Sequence, residues 1–334
     1  MGNLQRRGGY TVFKITVWGC RGSIAAPLTN VEGQKKLAWI LQDITKKRIE
    51  FNNQDDVNKY LLSIPFRYNS TYGGNTTCLE VRCGETIIIF DAGTGIRPLS
   101  EKLSQEYIQK NKALDLNLIY THVHSDHTIG LPFANFIYIK GNNINVYGNT
   151  EWDKDFSDLL KHTMTFPNFP VCLSEINRVG ATMNYNNIRE GEVLSFGKNQ
   201  EVRVYNAKLN HPGDVMGYRV EYESKVFTLA TDVEHLNPIE PKLLKLAQNA
   251  DVLFYDTQYT DNEYNGKTTT AKKGYGHSTP EYAAKTAISS GVKRLILTHH
   301  CPSHTDEDIA KIESITQKLF PNCQAAYEGM TIDV

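Results

Sequence analysis

The sequence predicts a layered α/β fold built on mixed β-sheets, with a helical insertion near its N-terminus. Three observations predict it. Short apolar stretches of strand character recur along the 334 residues, the last third alternates them with amphipathic helices, and several end in histidine or aspartate. That last feature suits α/β sheets, in which strand ends are rigid and the loops beyond them converge. With 40% hydrophobic residues the chain buries a substantial core, and we read one domain over 1–334 with the insertion at about 28–68.

Residues 10–18, "YTVFKITVW", alternate Phe13, Ile15 and Val17 with Lys14 and Thr16, the two-residue period of a strand. From about Leu28 to Tyr68 the period changes. "GQKKLAWILQDITKKRIEF" spaces Leu37, Ile40, Leu41 and Ile44 as a helix does, and "DDVNKYLLSIP" gives a second short helix stopped by Pro65. Lys35, Lys36, Lys46, Lys47 and Arg48 read as a solvated helix face rather than a phosphate-binding surface. From Thr77 strands dominate: "TCLEVRC" and "TIIIF" form a hairpin through Gly84-Glu85. A helix over "GIRPLSEKLSQEYIQ" precedes the apolar run "LNLIY", and further strands fall in "INVYG", "EVRVYNAKL", "GYRVEY" and "KVFTLA". The chain ends with strand "DVLFYD", helix "TPEYAAKTAISSG", strand "VKRLILT" and helix "DEDIAKIESITQKLF".

A net charge of -1, from 36 basic and 37 acidic residues, gives no general attraction to nucleic acid. The six cysteines (Cys20, Cys78, Cys83, Cys172, Cys301, Cys323) form no CxxC pair and read as free thiols of a reducing compartment. "MGNLQRRGGYTVFKITVWGC" has no signal-peptide apolar stretch and "MGNLQR" no myristoylation signal; with no membrane-length run either, we expect a soluble, cytoplasmic protein.

Four apolar runs end in metal-ligand residue types. "LNLIY" leads to "THVHSDH" with His122, His124, Asp126 and His127; "VRVYNAKLN" leads to His211; "KVFTLA" leads through Thr231 to Asp232; "RLIL" leads through Thr298 to His299. His122 and His124, two apart on an extended loop, can face one ion and be completed by His211. Asp126 and His127 turn toward a second ion, completed by His299, and Asp232 can bridge both. Imidazole and carboxylate without thiolate suit two divalent ions, Zn²⁺ first, with Mn²⁺ or Fe²⁺ next. His162, His235 and His304, isolated in sequence, are set aside.

"THVHSDH" matches the HxHxDH signature of the metallo-β-lactamase superfamily, and His211, Asp232 and His299 follow in the order of its later ligands. The resemblance runs from Ile15 to about Asp306. It implies an αββα sandwich: two facing mixed sheets, helices outside, metals at one edge. Fold alone does not give function. The flavodiiron branch has Glu where this chain has His124 and the dioxygenase branch usually manages with one iron, so the complete set implies hydrolysis.

"GYGHSTPEYAAKTAISSGVKRLILTHH" resembles the tail of RNase Z-like phosphodiesterases, which implies that His277 is the general acid protonating the departing ribose oxygen. His277 also reads as a helix-entry residue ahead of a Ser278/Thr279 cap and Pro280 in the first turn. "WGCRGS", "YGGNTTCLEV", "DAGTGIRPL", "GLPF", "FPNFPV", "HPGDVMGYRV" and "TDVEH" resemble bacterial and phage phosphodiesterases related to RNase Z. Some of these hydrolyse 3′,5′-cyclic mononucleotides, including members that defeat cyclic-pyrimidine immune signalling. Asp91 is either a residue that orients a ligand histidine or a simple strand-end turn.

The chain departs from RNase Z in lacking a long Gly-rich basic arm and in carrying "HCPSH" after the last ligand instead of "S-x-R-Y". The resemblance therefore implies a phosphodiesterase for small cyclic nucleotides, using a metal-activated hydroxide, with His277 and Asp126 as the catalytic residues. An RNase Z-like nuclease on RNA or DNA is the alternative; an ester, thioester or lactone hydrolase is disfavoured by the GHST segment. A nucleotide-sized substrate and a homodimer are the implied partners, with no membrane. Two loops are candidate base contacts: 162–171 with Phe166 and Phe169, and the long polar loop with Tyr259, Tyr264, Tyr275, Lys272 and Lys273.

Overall fold

Alternation in the first strand sends Phe13, Ile15 and Val17 inward and leaves Lys14 and Thr16 half-exposed. The computed structural model describes residues 12–149 and 155–334, so Tyr10 and Thr11 of the expected strand lie outside the described residues. Fourteen strands are described: β1 (Phe13–Gly19), β2 (Cys78–Cys83), β3 (Thr86–Phe90), β4 (Asp115–Ile119), β5 (Asn143–Gly148), β6 (Thr182–Asn187), β7 (Leu194–Phe196), β8 (Val202–Leu209), β9 (Val215–Tyr222), β10 (Lys225–Ala230), β11 (Val252–Asp256), β12 (Arg294–Thr298), β13 (Cys323–Ala325) and β14 (Thr331–Asp333). They form two sheets, ordered β14-β1-β2-β3-β4-β5-β6 and β13-β12-β11-β10-β9-β8-β7.

Both sheets are mixed. β14, β1, β2 and β3 pair antiparallel, then β3 to β6 run parallel. In the second sheet β7 to β10 are antiparallel and β10 to β13 parallel. Parallel strands are hydrogen-bonded side by side with their carboxyl ends on one edge, so whatever follows β3, β4, β10, β11 and β12 is brought together.

The sheets pack face to face through one core, with Ile15, Val81, Ile88 and Phe90 from the first and Val204, Val220, Phe227 and Phe254 from the second. Burial of each such side chain stabilises the fold by about 1.5–3 kcal/mol. Outside the first sheet, Leu99 and Leu103 of the Ile96–Gln109 helix cover Ile89 and Leu118. Outside the second, Ala283 and Ala287 of the Pro280–Ser289 helix and Ile312 of the Asp306–Leu319 helix cover Leu253 and Leu295. The result is the helix–sheet–sheet–helix sandwich that the resemblance implied.

The insertion lies between β1 and β2 and is helical, with Asn30–Lys47, Gln54–Ser63 and Phe66–Asn69. Thr29 and Glu32 close a capping box at the start of the first helix, and Arg48 ends it in the left-handed region at φ 52. The apolar spacing made a helix without making a buried face: Leu37 is 62% and Leu41 64% exposed. The contacts that tie it to the body are specific ones. Lys36 Nζ pairs with the buried carboxylate of Asp306, and the Phe66 ring packs on Tyr327 with centroids 4.6 Å apart. No helix among the described residues is long and apolar enough to cross a membrane.

Candidate metal centre

Most of the functional side chains lie in segments that follow the ends of strands. β3 ends at Phe90 and delivers Asp91, whose carboxylate accepts from the Thr121 backbone N–H at 2.8 Å, the Thr121 hydroxyl at 2.9 Å and His127 Nδ1 at 2.8 Å. The same Thr121 hydroxyl lies 3.0 Å from His122 Nδ1 and can accept from it. β8 delivers His211, whose Nδ1 donates to the Gly276 carbonyl at 2.7 Å. In all three histidines Nδ1 is engaged, which leaves Nε2 as the free lone pair. Nε2 of His122 and of His127 are buried with no hydrogen-bond partner. Buried orphan nitrogens of this kind need another electron-pair acceptor.

The sequence-selected residues converge on two groups, His122–His124–His211 and Asp126–His127–Asp232–His299, the ligand-type atoms in each lying within 4.8 Å of one another. Only His124 is exposed. Its Nδ1 faces His211 Nε2 at 3.2 Å. Asp232 stands between the groups. Its Oδ2 is 3.8 Å from His122 Nε2 and 4.0 Å from His211 Nε2, while Oδ1 is 3.2 Å from His127 Nε2 and 3.3 Å from His299 Nε2. Asp126 Oδ2 reaches the same two imidazoles at 3.4 Å and 3.2 Å, and accepts the Ser23 backbone N–H at 2.7 Å.

Electrostatics divide the groups. Burial pushes the His122 pKa well below its ordinary value, and also lowers those of His124 and His211, so all three are neutral imidazoles at neutral pH. Burial would lower His127 and His299 too, but the carboxylates around them outweigh it. Asp232, Asp126 and Asp91 hold His127 well above its ordinary value, and Asp232 with Asp126 raises His299 to about 9. Against the upward push of burial, His127 and His299 hold Asp126 below the carboxylate range, and His299 and His127 do the same for Asp232. The second group therefore demands positive charge, which a divalent cation can supply in place of those protons. Donor chemistry, orphan nitrogens and charge balance all fit metal ions.

His277 sits beside these groups, its ring 5.0 Å from that of His299 and 5.3 Å from that of His211. Its Nδ1 donates to Asp256 Oδ2 at 2.8 Å, and the other oxygen of Asp256 accepts the backbone N–H groups of Gln258 and Ser278 at 3.0 and 3.1 Å. Asp256 was not singled out from sequence, although it closes "DVLFYD" as Asp232 follows "KVFTLA". Asp256, His277, Asp232 and His299 form a third, overlapping group. The expected helix entry is in place, with Thr279 at the N-cap and Pro280 opening the helix, although the Thr279 hydroxyl donates to Asp261 at 2.8 Å and makes no side-chain cap bond. His277 is held by Asp256, not by the cap.

A cleft of about 350 Å³ opens over the groups and is lined by Ser23, His124, Asp126, His211, Tyr259, Tyr275 and His277 among others. Two of the three tyrosines thus reach it. Tyr264 instead is buried, donating its hydroxyl to Glu234 at 2.7 Å. Phe166 and Phe169 do not line the cleft; Phe169 packs edge-on against Phe133 at 5.8 Å. A larger cavity of about 510 Å³, lined by Tyr205, Arg219 and Lys242, lies over β8 and β9, with no comparable group of ligand-type side chains there among the described residues.

Residues 86–300 match the family model described as a beta-lactamase superfamily domain. A ribonuclease Z from Prochlorococcus marinus (strain MIT 9515) is 25% identical over 320 residues, spanning 78% of this chain and 94% of that protein. Among solved structures, the metallo-beta-lactamase fold protein YhfI from Bacillus subtilis aligns with a TM-score of 0.61 at 16% identity, covering 97% of this chain and 100% of its own. The short form of human tRNase Z gives 0.56 at 16% identity, covering 96% and 99%. Those structural likenesses concern the fold. With the family match over well more than half its length and its ribonuclease Z relatives, the chain belongs to the beta-lactamase superfamily, as a metal-dependent hydrolase of the RNase Z-like branch.

Proposed function

We propose that this protein is a phosphodiesterase that opens 3′,5′-cyclic mononucleotides, with two divalent ions, zinc first. One would be held by His122, His124 and His211, the other by Asp126, His127 and His299, with Asp232 between them. The observation that carries the reading is the Asp256–His277 pair, 2.8 Å apart and adjoining both donor groups. Ester hydrolysis with a good leaving group needs no acid there; expulsion of a ribose oxygen does.

Bound in these groups, divalent ions supply Lewis acidity toward the phosphate and the attacking water. The remaining work falls to the chain. Asp126, with one carboxylate edge toward the cleft, orients the water. Asp256 accepts the Nδ1–H of His277 and fixes the ring, which leaves Nε2 as the atom that hands a proton to the leaving oxygen. Asp91 and Thr121 hold His127 and His122 in the tautomer with a free Nε2. A cleft of about 350 Å³ suits a nucleotide-sized ligand.

A nuclease acting on RNA is the second reading. It is favoured by the ribonuclease Z relatives and by Lys267, Lys272 and Lys273 on the loop leading to Tyr275. The metal-loaded protein, with a chelated control, should convert a panel of cyclic mononucleotides to linear ones. Cleavage of RNA with no turnover of any cyclic nucleotide would replace the first reading by the second. The same proposal takes 1–334 as one unit with 28–68 as an insertion, a homodimer as the assembly, checked by sedimentation, and the cytoplasm as its place, supported by six free thiols.

A further inference from the structure

Two residues beyond Asp232, Glu234 is 9% exposed, yet its carboxylate accepts three hydrogen bonds from one distant loop. Oε1 takes the Tyr264 hydroxyl and the Gly274 N–H, both at 2.7 Å, and Oε2 takes the Gly276 N–H at 3.0 Å. The Glu234 backbone is itself locked to Asn210, N–H to carbonyl at 2.8 Å and carbonyl to Asn210 Nδ2 at 3.0 Å. One residue thus joins the segments that precede His211, follow Asp232 and precede His277.

We propose that Glu234 is the positioning residue for His211 and His277; the assignment rests on the metal centre described above. Gly276 is the connecting element. It has φ 86, and a Cβ there would stand 2.2 Å from His211 Nδ1. The imidazole is therefore packed against the bare backbone, with its Nδ1–H on the Gly276 carbonyl at 2.7 Å. Fixing the Gly276 amide fixes that carbonyl, the His211 tautomer and the direction in which the chain enters His277. A carboxylate suits the position because it accepts only, and three donors point at it. Glutamine has one accepting oxygen and would turn an NH₂ toward an N–H or O–H. By holding both Tyr264 and Gly274, the same carboxylate closes the base of the loop that bears Lys267, Lys272 and Lys273.

The test compares full-length Glu234→Gln with wild type by three readouts: zinc affinity by competition with a chromophoric chelator, the visible spectrum of the cobalt-loaded protein, and tryptic cleavage of the 265–273 loop. The expected result is a 10–100-fold loss of affinity at one of two sites, an altered cobalt spectrum and faster cleavage. Unchanged affinity and spectrum in a folded variant overturn the proposal, whatever the loop does. Should the variant not fold, wild type decides. Slow hydrogen exchange at the Gly276 amide and an Nδ1–H resonance on His211 are required, and rapid exchange at that amide overturns the assignment. A wild type that binds no zinc refutes the metal centre instead, while exchange and proteolysis still judge the clamp.

Discussion

Replacing Asp256 with asparagine separates acid catalysis from metal binding. One carboxylate oxygen accepts two backbone N–H groups, from Gln258 and Ser278, at 3.0 and 3.1 Å. Asparagine must keep its carbonyl there, so its NH₂ faces His277 Nδ1, which the lost oxygen met at 2.8 Å. That NH₂ donates to Nδ1, so the ring loses the carboxylate that accepted its Nδ1–H and oriented Nε2 as the proton donor. A hydrogen bond to a charged group contributes about 1.5–3 kcal/mol. At about 1.4 kcal/mol per decade, kcat for a cyclic nucleotide should fall roughly 10- to 150-fold. Bis(p-nitrophenyl) phosphate is the control, because its leaving group departs as a stable anion without a proton. Its kcat should change by less than about threefold, on the same reasoning about acid catalysis. Asp256 Oδ2 is also 3.5 Å from His299 Nδ1, so a fall shared by both substrates would locate the damage in the metal groups. That outcome refutes the assignment of the acid.

Further outcomes follow from the same geometry. His277→Ala should lower kcat on cyclic nucleotides by about 10²–10⁴ while metal content, measured by plasma mass spectrometry, stays at the wild-type level; retained activity removes His277 from the mechanism. Asp232→Asn should bring metal content below that of wild type, and full occupancy would remove Asp232 from the ligand set. Glu263 is partly buried, which would raise its pKa, but hydrogen bonds from His304 and Thr260 outweigh burial and hold it at about 2. An unfolded glutamate titrates near about 4.3, so this depressed group contributes stability that is full above that value and lost as pH falls toward 2. The gap in Tm between wild type and Glu263→Gln should narrow from about pH 5 to about pH 3, and a gap that widens in acid contradicts the pairing.

What was legible in the sequence was local. Runs such as "TIIIF" and "KVFTLA" carry their own strand signal, and four of the seven ligand-type residues fall within "THVHSDH". β6 escaped because "TMNYNN" buries only Met183 and turns its asparagines outward, with Asn184 bonded across to Asn143 and Asn145 at 2.8 and 3.1 Å. β13 and β14, three residues each, are too short to show a period. Helical spacing in the insertion could not say whether a partner surface exists, and Leu37 and Leu41 show that burial does not follow from period alone. Tyr264 and Tyr275 look equivalent in one polar loop, yet one is locked on Glu234 and the other lines the cleft. That difference is set by contacts at separations of thirty residues or more, which no local pattern encodes.

Backbone strain marks the same edge of the sheets. Asp91, Asp232, His299 and Ser23 have φ of 62, 52, 62 and 60, the left-handed region in which a side chain is disfavoured by roughly 1–2 kcal/mol. Glycine would relieve each turn and remove the side chain that makes the site. The turns fall at or just beyond the ends of β3, β10, β12 and β1, where a left-handed residue reverses the chain and sends its side chain back across the edge. Side-chain and backbone hydrogen bonds offset the strain: Asp91 accepts from Thr121 and His127, Asp232 accepts the Thr231 hydroxyl at 2.7 Å, and the Ser23 amide is spent on Asp126 at 2.7 Å. Four disfavoured turns amount to several kcal/mol, a large share of the 5–15 kcal/mol by which a domain is stable. A fold bearing that load at one edge must be held by the strands behind it, and Asp91, Asp232 and His299 each follow a buried strand that has a parallel neighbour, β3, β10 and β12.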